Sequence, residues 1–102
     1  MSFTTIFPGC YAGRWPHIHF EVYASLADAT GGGTALATSQ LAIPEDACNQ
    51  AYDADGYAQS VTNLASLTLE SDQVFADGTA LQLATATGSA DDGFAIGLSV
   101  VV

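Results

Sequence analysis

His17 and His19, one residue apart, are the only histidines in a chain of 102 residues. Close before them stand the only basic side chain, Arg14, and the only tryptophan, Trp15. On an extended strand, residues i and i+2 point the same way with Cα atoms about 6.5 to 7 Å apart. Two imidazoles placed so can converge on one metal ion. The pair alone has two readings: a shared metal, or two histidines satisfied separately by core and solvent. The gathering of the chain's few cationic groups between Pro8 and Tyr23 favours the metal.

Tyr11 bears on which metal. A phenol with an ordinary pKa of about 10 is a poor ligand for a divalent ion at neutral pH. Ferric iron is a stronger Lewis acid and holds tyrosine as phenolate, as in catalase. Arg14 lies between Tyr11 and His17. A guanidinium fixed there can stabilise negative charge on a bound substrate; its other reading is an ion pair with one of eleven acids. Other patterns fail. A cupin-type H-x-H site needs a glutamate further on than Glu21 and a third histidine. No H-E-x-x-H, G-x-S-x-G or phosphate-cradling G-x-x-x-x-G-K is present. An EF-hand counted from Asp53 would place Leu64 where a bidentate glutamate is required.

The elements that must position these groups read as a mainly β single domain over residues 1–102. Alternation predicts a strand over Ser2–Phe7, broken by Pro8-Gly9. Cys10–Pro16 reads as a loop pivoting at Gly13. The clearest strand is His17–Ala24, with His17, His19, Glu21 and Tyr23 on one face and Ile18, Phe20, Val22 and Ala24 on the other. Ser25–Thr34 reads as a loop ending in three glycines, and Leu36–Ile43 as a strand. A short helix is expected from Pro44 to Tyr52, with Glu45 and Asp46 at its positive end. Asp53–Gly56 reads as a turn, Tyr57–Leu69 as a second short helix with irregular chain, and Asp72–Gly78 as a loop. Leu81–Thr87 and Phe94–Val102 read as strands joined through Gly88–Gly93.

A net charge of −10 with no lysine makes nucleic acid and anionic lipid poor partners. No apolar run reaches membrane-spanning length, and the first residues lack the basic and apolar regions of a signal peptide. Cys10 and Cys48 are too far apart for a CxxC motif. They suit either one disulfide or two buried thiols, and the disulfide would go with an exported, extracellular setting.

The segment FTTIFPGCYAGRWPHIHFEVY resembles the iron-binding segment of the intradiol ring-cleavage dioxygenases, the family of protocatechuate 3,4-dioxygenase and catechol 1,2-dioxygenase. Tyr11, Arg14, His17 and His19 match that pattern in order and spacing. LATSQLAIPEDACNQAY and VFADGTALQLATATG are similar to the C-terminal part of dioxygenase-like proteins. The resemblance implies Fe(III) held by Tyr11, His17 and His19, with Tyr11 displaced when substrate binds. It implies that Arg14 stabilises the electron-rich diolate, and that a catechol-type diol is cleaved with O2 to a muconate-type diacid. It also implies an incomplete β-sandwich: the chain matches the second half of the family's catalytic domain, and the family's other tyrosine ligand lies upstream of the match. A truncated enzyme, self-association or a complementing chain are the expectations that follow. The alternative is a non-catalytic β-sandwich module, with or without a divalent metal at the two histidines.

Overall fold

A computed structural model describes residues 2–100. Four strands form two antiparallel ribbons, and three short helices lie between them in sequence. The elements run β1 (His17–Val22), α1 (Leu26–Thr30), β2 (Ala37–Ala42), α2 (Glu45–Ala51), α3 (Ala58–Ala65), β3 (Thr85–Ser89) and β4 (Gly93–Gly97). β1 pairs with β2, and β3 with β4. A single parallel bridge, Ala42 with Leu83, joins the ribbons. Its hydrogen bonds run from Ala42 N–H to the Gln82 carbonyl at 2.8 Å and from Ala84 N–H to the Ala42 carbonyl at 3.0 Å. The protein is thus a small β-rich domain. Its radius of gyration, 14.7 Å, exceeds the about 13 Å of a compact domain this long.

β1 forms where alternation predicts, and its register sets the functional face: His17 lies opposite Ala42, His19 opposite Gln40, and Glu21 opposite Thr38. Directly paired residues share a face, so Gln40 joins the histidines. Ile18 and its partner Leu41 turn the other way. They line a groove of about 270 Å³ with Phe3, Phe7, Phe94 and Ile96, on the side of the ribbon away from the histidines.

The core is built on α2 and the chain that packs around it. Ala47, Cys48, Ala51 and Tyr52 are buried with Trp15, Ile43, Leu64 and Phe75. Glu45 and Asp46 occupy the first turn of α2, where carboxylates favour the unpaired N–H groups.

Three expectations are corrected. Ser2–Phe7 forms no strand; its alternation is intact, but a strand needs a partner ladder, and here the segment is held by side chains. Tyr57 donates to the Phe7 carbonyl at 2.7 Å, and Tyr52 to that of Pro8 at 2.9 Å. The loop expected after β1 contains α1, because Ser25 caps it: its Oγ accepts from Asp28 N–H at 3.1 Å. The last hairpin is shorter and tighter than its apolar runs suggest, with Gly88, Ser89 and Gly93 inside the ladder and Leu81 in an exposed turn. The last two valines of the predicted final strand lie outside the described residues.

At Gly88, φ is +99° and a Cβ would lie 2.2 Å from the Gly93 carbonyl oxygen. Both features exclude a side chain. Gly88→Ala is expected to cost at least about 1–2 kcal/mol from backbone strain alone, visible as a lower urea midpoint with an unchanged slope.

Candidate metal centre

The loop from Cys10 to Pro16 is pinned at both ends, which leaves its tip free to carry chemistry. At one end Cys10 N–H donates to Ser60 Oγ at 2.9 Å, and Asn63 Nδ2 donates to the Cys10 carbonyl at 2.7 Å. At the other, the buried Trp15 indole donates to the Ile43 carbonyl at 2.9 Å, and Ile43 N–H donates to the Pro16 carbonyl at 3.0 Å. Gly13 takes φ +88° between them, as its role of pivot requires. Tyr11, on the tip, is 54% exposed.

The three ring donors expected from the sequence come together. The His17 and His19 ring centroids are 5.0 Å apart, and those of Tyr11 and His17 are 5.8 Å apart. The Tyr11 hydroxyl stands 3.4 Å from His17 Nε2. His17 Nδ1 lies 2.5 Å from the Trp15 carbonyl oxygen. A carbonyl only accepts, so Nδ1 carries the proton and Nε2 presents its lone pair towards Tyr11. A backbone carbonyl fixing the far nitrogen is the usual outer partner of a metal-binding histidine. Burial, with smaller effects from Arg14 and His19, pulls the His17 pKa below the ordinary histidine value against the pull of the Trp15 carbonyl. The ring is therefore neutral at pH 7, the form that binds metals.

The spacing of Tyr11 and His17 could accommodate a shared ion. Two donors each about 2.1 Å from one centre at a tetrahedral angle lie about 3.4 Å apart, which is the observed Tyr11–His17 separation. Glu21 does not join them; it accepts a hydrogen bond from the Tyr23 hydroxyl. Among the described residues no group of three His, Cys, Asp or Glu side chains is placed to hold a metal; the oxygen that stands beside His17 is the Tyr11 hydroxyl. Tyr52 and Tyr57 spend their hydroxyls on backbone carbonyls, and burial lifts the Tyr52 pKa well above the phenol range.

Cys10 and Cys48 are free, buried thiols, which answers the open question of a disulfide. Burial raises the Cys10 pKa. Burial, helped by the neighbouring Cys10, pushes Cys48 up to about 12. Neither is a thiolate at neutral pH, so neither is a ready ligand or nucleophile.

Arg14 is paired and placed. Its Nε donates to Asp72 Oδ2 at 2.8 Å and its Nη2 to Gln40 Oε1 at 2.5 Å. The Gln40 contact brings the guanidinium to the histidine face, since Gln40 pairs with His19 in the ladder. The sequence reading missed both partners. Gln40 becomes visible only once the β1–β2 register is known. Asp72 lies 58 residues from Arg14 in a stretch with no periodic signal.

Comparison of the chain with family models, curated proteins and solved structures gives no match in any of the three.

Proposed function

We propose that Tyr11, His17 and His19 hold ferric iron, and that the protein acts on catechol-type diols with O2 in the manner of an intradiol dioxygenase, giving muconate-type diacids. The observation that carries this reading is the convergence of the Tyr11 hydroxyl on the unprotonated Nε2 of His17, with His19 alongside. A bound ferric ion would supply Lewis acidity and a template for diol and O2. The chain's own groups do the rest. The Trp15 carbonyl keeps His17 in the binding tautomer. Tyr11, half-exposed on its loop, can turn from His17 to solvent without breaking a core contact, and, held as phenolate by a ferric ion, its oxygen would take a proton from an incoming diol. Arg14 brings the chain's one guanidinium to the face where a diolate would gather charge.

In this reading the two ribbons belong to an intradiol-type β-sandwich. Among the described residues β1 is paired on one side only, so a second copy or a complementing chain has an edge to meet. A solution mass above that of one 10.5 kDa chain is expected on size exclusion; a strict monomer would argue against this.

Loading with Fe(III) should give a visible phenolate-to-iron charge-transfer band, and Tyr11→Phe should remove most of its intensity while histidine binding continues. A colourless protein without bound iron sinks the reading. The second reading, a non-catalytic module binding a divalent ion through the histidines, draws support from the engagement of Tyr23, Tyr52 and Tyr57 elsewhere. That engagement leaves one phenol at the site. Stoichiometric zinc uptake with no coloured ferric form would favour it.

A further inference from the structure

We infer that Asp72 is the positioning residue of this site, a single buried carboxylate that fixes both the Arg14 guanidinium and the Trp15 peptide that orients His17. Its side chain is completely inaccessible to solvent. Oδ2 accepts from Arg14 Nε and from Trp15 N–H, each at 2.8 Å. Oδ1 accepts from Val74 N–H at 2.8 Å and from Phe75 N–H at 3.3 Å. With both oxygens saturated by four donors, Asp72 is not itself a ligand. Its function is geometric, and it reaches the site by two routes.

The first route is the guanidinium. Held by Asp72 through Nε and by Gln40 through Nη2, Arg14 cannot rotate away from the histidine face. Its Nη1 makes no hydrogen bond among the described residues and remains available to an anion. The second route is the backbone. The Trp15 N–H that Asp72 accepts belongs to the residue whose carbonyl receives the His17 Nδ1 proton. Loss of the carboxylate therefore loosens the cation and the imidazole together.

Asparagine cannot replace it. An amide has one acceptor end and one donor end. Whichever way it is turned, its NH2 faces two N–H donors, either Arg14 with Trp15 or Val74 with Phe75.

The inference rests on reading Arg14 as the group that meets an anionic diolate, but its first test needs no metal. The single arginine gives one Nε–H resonance in the ¹⁵N-labelled, metal-free protein. It should exchange slowly in the wild type, rapidly in Asp72→Ala, and still slowly in Gln40→Ala. The second test titrates catechol into the ferric-loaded protein. Asp72→Ala and Arg14→Ala should each raise the Kd about tenfold, and the double variant should lose less than the two single losses combined, because coupled residues do not add. A protected Nε–H in Asp72→Ala, or additive losses in the double variant, would overturn the assignment. Loss of protection in Gln40→Ala would also overturn it, by giving the anchoring role to Gln40, and this arm decides even where Asp72→Ala does not fold. A protein that takes up no iron would defeat the proposed function while the exchange arm still decides the role of Asp72.

Discussion

His17→Ala is expected to lower ferric-iron affinity by more than about 100-fold and to abolish the visible band. Outer partners of metal-binding histidines alone account for about 10–100-fold in affinity, so removal of a direct ligand should exceed that range. His17 is the centre of the donor set: Tyr11 and His19 each lie against its ring, while its Nδ1 is committed to the Trp15 carbonyl. The ring is only half-buried and outside the core cluster, so the variant should keep its far-ultraviolet dichroism. Metal content per chain after desalting is the deciding measurement. A variant that retains stoichiometric iron would place the site elsewhere.

Asp72→Ala should have the largest effect on stability. It leaves the Arg14 charge without its carboxylate at a side chain only 16% exposed, and it strips the acceptor from three backbone N–H groups. Breaking a buried pair from one side costs about 3–5 kcal/mol, a large share of the roughly 5–15 kcal/mol of a small domain. The pH dependence follows from the same contacts. Burial alone would raise the Asp72 pKa, but hydrogen bonds from Arg14 and from the Trp15 and Val74 amides, with the Arg14 charge, outweigh it and hold it below the ordinary aspartate value. A depressed folded-state pKa contributes stability that is fully present above the unfolded value of about 3.9 and is lost as pH falls through the folded value. The stability gap between wild type and Asp72→Ala should therefore be widest near neutral pH and narrow below about pH 4. Urea midpoints at pH 7 and pH 3 check this; a gap independent of pH would show that the charge of Asp72 is not what stabilises the loop.

Local signals in the sequence were sufficient wherever neighbours along the chain decide the outcome. Alternation located β1 and put His17, His19 and Glu21 on one face. Pro44 with two following acids located α2, and Gly13 marked the pivot of the Tyr11 loop. The same signals failed where a distant partner decides. Ser2–Phe7 alternates as a strand should, yet it forms no ladder, and the Tyr57 and Tyr52 hydroxyls hold the carbonyls of Phe7 and Pro8 at its end. In α1, the Ser25 cap outweighs the glycines that follow. Cys10 and Cys48 as residue types allowed a disulfide or thiols, and only their packing makes them buried thiols.

The Pro8–Tyr23 stretch by itself determined which donors could meet, because a two-residue strand period and a short glycine-pivoted loop leave Tyr11, His17 and His19 few places to be. Tertiary structure decided how they meet. The guanidinium at the histidine face and the pinned loop depend on Asp72, Gln40, Ser60 and Asn63, between 26 and 58 residues from their partners. Hydrogen-bond direction is set by such contacts, and no local pattern encodes a contact across that distance.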